Sequence, residues 1–528
     1  MRNDEPIAAR REGWLLIGWA VLLFTFTVAL HLRHNDFPFY YHPDEPGKVE
    51  QVQSGKWNFH HPMLLLATVK AVTLKTGAHG EQAIVETGRF VSALFTGVAV
   101  VALSLLAYGW RGWPSALSAG AALAFHHQLY ELSHYFKEDP ALLAGVSLTA
   151  LMAVACWWRL SSWRIALLGV ACALAISGKY IGVMSIAIAA PILWDRREGR
   201  TLRFSVFVAA LVAAFLAVNL PLLLQLSSFS ESFTREVGLV VRGQGGLTRS
   251  VPHAQYWNVF VDNTTPVIWL LLGIFLAARW RERRMVPLAH WVIIAVPFVY
   301  AIALSFSPKS NDRYFLPATA LLTLLAALGI ADAARLFQKR MHRRWVTFGA
   351  AVALVLGQWP SWIRYEHAFQ RDDNAELIAW IKDKLPPTAV LAKDSRIQLP
   401  DPEKKKHASR LGVIPQRVVH RLPGKKPVRY AADLAPVHGT VEELAASGIT
   451  HVAISESDYG RFFLSGLRPQ PNERADFERR KAFYESLLRH GDLTFDRERG
   501  TVIYLHPGIR VYRIGTPPPV SDESAAFQ

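Results

Sequence analysis

Apolar runs long enough to cross a membrane recur along the first 361 residues of this 528-residue chain. A helix needs about 20 predominantly apolar residues to span the hydrocarbon core of a bilayer. The pattern predicts a polytopic α-helical membrane domain over residues 1–361. About eleven spans are expected, at residues 14–32, 89–108, 113–131, 140–158, 165–178, 180–194, 203–226, 264–280, 287–305, 314–336 and 345–361.

The sequence becomes polar after residue 361 and alternates helical with strand patterns, which favours a soluble α/β domain over residues 362–515. The tail at residues 516–528 has the composition of a disordered segment. Helices are predicted at Glu376–Lys384, Val441–Ser447 and about 474–489, and strands at Ala389–Ala392, Thr450–Ile454, Val502–Leu505 and Arg510–Tyr512.

The distribution of positive charge predicts the orientation. A net charge of +16 would suit a nucleic-acid partner, but much of it lies in short loops between apolar runs, where Lys and Arg mark the cytoplasmic side. These loops alternate correctly only if residues 62–76 form an interfacial or re-entrant helix that does not span. We therefore expect a multi-pass protein of the cell (inner) membrane, with a cytoplasmic N-terminus, an extracytoplasmic C-terminal domain and no nucleic-acid partner.

Two short acidic segments, His42–Pro46 and Phe136–Pro140, then fall on the extracytoplasmic side. Carboxylates close to hydrocarbon are costly and often functional. Asp44 and Glu45 point about 100° apart on a helix, so one can face a reaction centre while the other binds a neighbour. The alternative is that Asp44 and Asp139 only cap helices.

Basic and imidazole side chains on the same predicted side suggest an anion site. Lys179 and Arg313 suit a lipid phosphate, although ordinary headgroup contact would explain either one alone. His60 and His61 make a divalent metal conceivable. Their spacing does not match a helical zinc motif, so the metal is left open.

Several ordered fragments resemble the GT-C membrane glycosyltransferases, in particular the superfamily of protein O-mannosyltransferases and lipid A aminoarabinose transferases. The resemblance covers most of the membrane domain and does not extend beyond residue 361. It rests on Pro43-Asp44-Glu45, Phe59-His60-His61-Pro62, Arg89-Phe90, Lys137-Glu138-Asp139, Gly178-Lys179-Tyr180 and Arg313-Tyr314 with Pro317.

The resemblance implies a transferase that moves a sugar from a polyprenyl-phosphate carrier to an acceptor hydroxyl, usually with inversion, on the extracytoplasmic face. The donor would carry a hexose or a pentose, and the acceptor would be a lipid, a glycan or a protein. Asp44 would be the general base, with Glu45 beside it. Asp139, or else Glu138, would fill the second acidic position. The implied substrate-binding residues are Lys179, Arg313, His60, His61 and Tyr314.

One departure concerns His60-His61, where related lipid A-modifying enzymes often have an acidic-basic pair. Two other functions are compatible with a protein of this layout. A transporter or lipid flippase with an external accessory domain would place ionisable groups near the membrane centre and show related halves. A binding protein would use the carboxylates only as caps. The predicted spans have largely uncharged centres and no repeated halves, which favours the enzyme.

Overall fold

A computed structural model describes residues 5–38, 41–194, 199–242, 247–249, 260–261, 263–283, 286–306, 312–400, 413–419, 439–464, 467–469, 471 and 474–515. The chain divides into two compact units. The first contains the described residues of Met1–Asp36, Asp44–Val241 and Pro252–Ile363. The second contains those of Phe37–Pro43, Arg242–Val251 and Arg364–Gln528. The predicted disordered tail at 516–528 lies outside the described residues.

The first unit is helical, as the apolar runs predict. Its helices are α1 Glu5–His31, α2 Glu45–Ser54, α3 Leu64–Thr76, α4 Glu81–Arg111, α5 Trp113–Ala124, α6 His127–Ser133, α7 Asp139–Trp158, α8 Ser162–Gly178, α9 Ser185–Leu193, α10 Arg200–Leu224, α11 Leu226–Arg242, α12 Pro266–Arg281, α13 Leu288–Ser305, α14 Leu316–Arg335 and α15 Arg340–Ala368. Short 3-10 helices cover Tyr180–Met184 and Asp312–Phe315.

Seven helices among the described residues are long and apolar enough to cross a membrane. They coincide with the predicted spans at 14–32, 89–108, 140–158, 203–226, 287–305, 314–336 and 345–361. The other four predicted spans fall on the shorter helices α5, α8, α9 and α12. The membrane-type helical fold is thus confirmed.

The predicted span at 113–131 is not one helix. The chain leaves the helical conformation at His126, which is extended (φ −74°, ψ 117°), and α6 starts at the next residue. The polar side chains after this break contact other segments: His127 Nε2 lies 3.0 Å from Asn263 Oδ1, and Gln128 donates to the carbonyl of Asp312. Hydropathy alone does not reveal such a break.

Small residues bring α7 and α8 into close contact. A side-chain carbon at Gly178 would lie 2.6 Å from the backbone nitrogen of Leu142, and one at Gly145 would overlap the backbone of Ala175. The two helices are consecutive, so the start of α7 meets the end of α8. Their close approach fixes Asp139 and Lys179, which occupy those two ends.

The second unit contains a five-stranded mixed sheet of order β3-β2-β4-β7-β6. Strand β2 pairs in parallel with β3 and β4, and β7 pairs antiparallel with β4 and β6. A separate antiparallel pair joins β1 to β5. The strands are β1 Leu247–Arg249, β2 Val390–Lys393, β3 Arg417–Val419, β4 His451–Ser455, β5 Leu467–Pro469, β6 Asp492–Arg499 and β7 Pro507–Arg513.

Helices cover both faces of the five-stranded sheet. They are α16 Asp373–Lys384, α17 Val441–Ala446, α18 Glu456–Tyr459 and α19 Arg474–His490. Successive side chains of β7 point to opposite faces. Val511 therefore packs with Leu377 and Ile381 of α16, whereas Tyr512 packs with Tyr484 and Leu487 of α19. This confirms the predicted α/β character of the C-terminal region.

One predicted strand is wrong. Val502–Leu505 forms turns, and the strand preceding β7 is β6, at Asp492–Arg499. Only Phe495 of β6 is buried. Strand β6 lies at the edge of the sheet and is mostly exposed, so charged residues are tolerated in it. It therefore lacks the run of β-branched residues by which a strand is recognised in a sequence.

Candidate active site

The two acidic segments meet in the first unit. Lys137, from the segment before α7, is buried and forms an ion pair with Asp44, at the start of α2. The backbone nitrogen of Phe136 also donates to Glu45 at 3.1 Å. Burial lowers the pKa of Lys137 well below its usual range, although Glu138 and Asp139 oppose this effect. The segments that the sequence placed on one side therefore form one cluster.

Asp44 is the accessible carboxylate at the start of α2. Its side chain is 44% exposed. It makes no capping hydrogen bond to α2, so the cap alternative is not seen for this residue. Asp44 is thus accessible, as a proton acceptor must be to reach its substrate.

Glu45 has the opposite environment. Its carboxylate is fully buried and accepts from Arg89 of α4 at 3.0 Å and 2.7 Å. Burial raises the pKa of Glu45 above its ordinary value even though Arg89 opposes the shift. A bidentate pair of this kind is geometrically specific. Glu45 therefore anchors α2 to α4 and orients its neighbour Asp44.

A second buried pair joins Lys48 of α2 to Glu138, with 2.7 Å between Nζ and Oε1. Lys48 also donates to the carbonyl of Phe136 at 2.7 Å. Burial by itself would raise the pKa of Glu138, but His61, Lys48 and Lys137 hold it below its ordinary value. Glu138 is therefore a fixed anion at pH 7.

A third pair lies at the junction of α7 and α8. Lys179 Nζ is 2.7 Å from Asp139 Oδ1. Asp139 is the first residue of α7, where the helix dipole favours a negative charge. The ammonium of Lys179 also lies 4.6 Å from the centre of the Tyr314 ring, and the guanidinium of Arg313 lies 5.4 Å from it. Tyr314 thus holds both predicted phosphate-binding cations in one place.

His60 and His61 face different glutamates. His60 Nδ1 is 3.7 Å from Glu236 of α11, whereas His61 Nε2 is 3.8 Å from Glu138. Burial lowers the pKa of His61 to about 4 despite the nearby Glu138. The preceding residue, Phe59, has a φ of 49°, an uncommon conformation for a residue with a side chain. Its carbonyl accepts from the Tyr180 hydroxyl at 3.0 Å, which stabilises this turn.

His60, His61 and Lys179 line a cavity of about 340 Å³, whose lining residues do not include Asp44 or Arg313. Polar residues form one part of its wall: His60, His61, Lys179, Tyr180, Glu236 and Tyr314. Apolar residues form the rest, including Phe233, Val237 and Leu304. A mostly apolar cleft with a few convergent polar groups is the usual form of a small-molecule site.

Among the described residues, no group of three or more His, Cys, Asp or Glu side chains could hold a metal ion. Glu138 and Asp139 instead accept from lysine ammonium groups. A divalent metal at His60 and His61 stays a prediction from the sequence, and no role in the reaction is assigned to it.

The sequence patterns assign no role to three members of the cluster. Arg89 and Lys137 belong to the fragments that resemble the family, and Lys48 lies outside them. A signal for Lys48 exists, because residues three and four apart share a helix face. Glu45, Lys48, Val49 and Val52 form one buried stripe of α2. A lysine within such a stripe indicates a buried carboxylate partner.

A different cluster lies at the far end of α4. Arg111, at the end of this helix, and Arg279 of α12 both contact the buried Asp332 of α14, at 3.4 Å and 3.2 Å. Arg111 follows Arg89 by 22 residues, which is about 33 Å along a helix. Both arginines belong to the basic loops that the sequence predicts to be cytoplasmic, and they converge roughly one membrane thickness away from the acidic cluster.

Comparisons with known proteins identify the fold. No protein-family model matches the chain, and no curated protein matches it. The crystal structure of ArnT from Cupriavidus metallidurans bound to undecaprenyl phosphate is similar, with a TM-score of 0.51 and 15% identity over 96% of this chain and 99% of ArnT. The crystal structure of the same ArnT in the apo state has a TM-score of 0.50 and 15% identity over 97% of this chain and 100% of ArnT.

The archaeal oligosaccharyltransferase AglB from Archaeoglobus fulgidus, in complex with an inhibitory peptide and a dolichol-phosphate, has a TM-score of 0.49 and 12% identity over 85% of this chain and 71% of AglB. The likeness to ArnT extends over nearly the whole of both chains. The chain therefore has the fold of the GT-C membrane glycosyltransferases.

Proposed function

We propose that this protein is a membrane glycosyltransferase that moves a hexosyl or pentosyl group from a polyprenyl-phosphate donor to an acceptor hydroxyl. The observation that carries the proposal is the pairing of the exposed Asp44 with the buried Lys137, within a cluster that also contains the Glu138 and Asp139 pairs. The cavity beside Lys179 supplies room for a substrate. Undecaprenyl phosphate bound to ArnT supports a lipid-linked donor.

Asp44 is proposed as the general base. Its carboxylate takes the proton of the acceptor hydroxyl while that oxygen forms a bond to the anomeric carbon of the sugar. The bond between the anomeric carbon and the phosphate oxygen breaks, and its electron pair leaves with the polyprenyl phosphate. Attack opposite the leaving group inverts the anomeric configuration.

Lys179 and Arg313 are proposed to hold the departing phosphate. Negative charge grows on that phosphate as the glycosidic bond breaks, so fixed cations stabilise the transition state more than the bound donor. Both side chains pack on the ring of Tyr314, which restricts their movement. His60 and His61 line the same cavity and are assigned to the sugar.

The other carboxylates have supporting roles in this proposal. Asp139 fixes Lys179, and Glu138 fixes Lys48. Asp139, or else Glu138, would fill the second acidic position expected from the family resemblance. Glu45 acts through Arg89 as a positioning residue for Asp44, because its burial removes it from any substrate.

The reaction is proposed to take place on the extracytoplasmic face of the cell (inner) membrane. The basic residues near Arg111 and Arg279 then face the cytoplasm, in agreement with the positive-inside rule. The acceptor would be a lipid, a glycan or a protein at that surface.

Release of the carrier lipid tests the reaction. Purified protein in proteoliposomes would be supplied with a panel of polyprenyl-phosphate sugars and a mixture of membrane acceptors. The proposal predicts that free polyprenyl phosphate and a glycosylated product form together in equal amounts. Movement of intact donor between leaflets without cleavage would instead indicate the lipid flippase, and donor retention without either process would indicate a binding protein.

Labelling of single introduced cysteines tests which side of the membrane the acidic cluster faces. The native Cys156 and Cys172 are buried, so an introduced thiol can be labelled selectively with a membrane-impermeant maleimide. In intact cells or spheroplasts, Glu50→Cys on α2 should react and Lys339→Cys should not. The opposite pattern would reverse the orientation and exclude the extracytoplasmic site.

A further inference from the structure

The second unit contains an open cavity of about 400 Å³ that belongs to none of the steps above. Three parts of the unit form its wall: the end of α15, the segment leading into α16, and the end of β6 with its connection to β7. They contribute the basic side chains Arg364, His367, Arg371, Arg497, Arg499 and His506. The hydroxyl-bearing residue Thr501 also lines it.

Glu376 of α16 fixes two of the arginines. Its two carboxylate oxygens accept from Arg371 at 3.1 Å and from Arg497 at 2.6 Å. One carboxylate thus orders two guanidinium groups and neutralises only one of them. Guanidinium groups retain further donors when one edge is occupied, since each has five N–H groups.

His506 contacts two acceptors, which together favour its protonated form. Its Nδ1 lies 3.0 Å from the carboxylate of Asp373, and its Nε2 lies 2.7 Å from the carbonyl of Ala368. An imidazole can donate from both nitrogens only when it is protonated. Burial lowers the pKa of His506, but these two partners outweigh it and raise the pKa above its ordinary value.

The wall has a net positive charge. Its basic residues are the four arginines and two histidines, and its carboxylates are Asp373 and Glu498. Further carboxylates lie beside these lining residues: Glu376 accepts from Arg371 and Arg497, Glu366 contacts His367, and burial raises the pKa of Asp372, an effect that the nearby His506 opposes. Within the lining itself, the four arginines outnumber the two carboxylates. Cations that converge from three segments suit a compact anion with several acceptor oxygens better than a single carboxylate.

We propose that this cavity binds a phosphate-bearing ligand, at a site separate from the one around Asp44. Arginines suit phosphate because their planar forks donate to two of its oxygens at once. The phosphate would be carried by a lipid or by a soluble molecule. Arg364 lies three residues after the predicted span 345–361, on the continuous helix α15.

Calorimetric titration of the full-length protein in phosphatidylcholine nanodiscs tests this proposal. The probes are pyrophosphate and dihexanoyl phosphatidic acid, which present a soluble and a lipid-borne phosphate. The test variant is Arg364→Gln/Arg499→Gln, which removes two cations from different parts of the wall. The control is Arg489→Gln, which removes an exposed arginine of α19 outside the cavity.

At least one probe should bind to wild type and to the control, and the double variant should weaken that binding about tenfold or more. A preference for phosphatidic acid would identify a lipid-borne phosphate, and a preference for pyrophosphate a soluble one. Equal binding to the double variant and the control, or no binding of either probe to wild type, would overturn the proposal. Neither result depends on Asp44, so the transferase proposal is tested separately.

Discussion

Asp44 and Glu45 are adjacent in the chain and yet have different environments. The first is 44% exposed and paired with Lys137, whereas the second is fully buried against Arg89. A carboxylate that serves as a base must reach the substrate, and one that fixes a helix must not lose its partner to water. The rotation of about 100° between consecutive helical residues separates these two roles.

The Glu45–Arg89 pair should contribute strongly to stability. In Glu45→Gln the buried guanidinium loses its counter-ion, and breaking such a pair costs roughly 3–5 kcal/mol. We expect the free energy of unfolding in detergent to fall by that amount in Glu45→Gln. In the control Glu50→Gln, which changes an exposed residue, it should change by no more than about 0.5 kcal/mol. Equal stability of the two variants would contradict the anchoring role of Glu45.

His506 should make stability depend on pH. Its pKa is raised in the folded protein because Asp373 and the Ala368 carbonyl outweigh burial and the nearby Arg371. The stabilisation is complete below the unfolded pKa of about 6.5 and is lost as the pH rises through the folded value. The melting temperature of wild type should therefore exceed that of His506→Gln by more at pH 6 than at pH 9. The difference in melting temperature between wild type and Arg489→Gln should be the same at both pH values. A difference between wild type and His506→Gln that grew as the pH rose would contradict a raised pKa of His506.

At the scale of elements, the site depends on how closely α7 approaches α8. Gly178 lets the end of α8 contact the backbone at Leu142, and Lys179 follows directly. Because Asp139 begins α7, any separation of the two helices moves Lys179 away from its carboxylate. The small residues of this contact are therefore part of the machinery that positions the charges.

Gly178→Ala should reduce both stability and turnover. The added carbon would lie 2.6 Å from the Leu142 nitrogen, and backbone atoms cannot move as cheaply as a flexible side chain. Overpacking of this kind costs about 1–3 kcal/mol. Gly273→Ala is the control, since nothing lies within 4 Å of the position of its new carbon. The idea fails if the two variants have the same melting temperature and the same turnover.

Across the whole molecule, much of the fold can be predicted from sequence patterns that extend over many residues. Apolar runs predict the long helices because the bilayer imposes their length, and alternating short patterns predict the α/β sheet. Shorter features are decided by contacts. The break at His126 and the charged edge strand β6 both depend on neighbours that are distant in sequence.

The sequence likewise predicts some features of the candidate site and not others. The sequence identified the two acidic segments, since carboxylates beside prolines and apolar runs are conspicuous. It did not reveal which carboxylate meets which cation. Lys48 pairs with Glu138, and Lys137 with Asp44, across about 90 residues. Such pairings arise from the packing of α2 against the segment before α7, which no local pattern encodes.

The central claim is that Asp44 is the base of a sugar transfer from a lipid phosphate. The most direct test is the rate of polyprenyl-phosphate release by Asp44→Asn, compared with Glu50→Gln on the same helix. Loss of a general base predicts a rate lower by about 10²–10⁴-fold for Asp44→Asn, with Glu50→Gln at the wild-type rate. Release by Asp44→Asn at the wild-type rate, from protein with the wild-type melting temperature, would contradict the account.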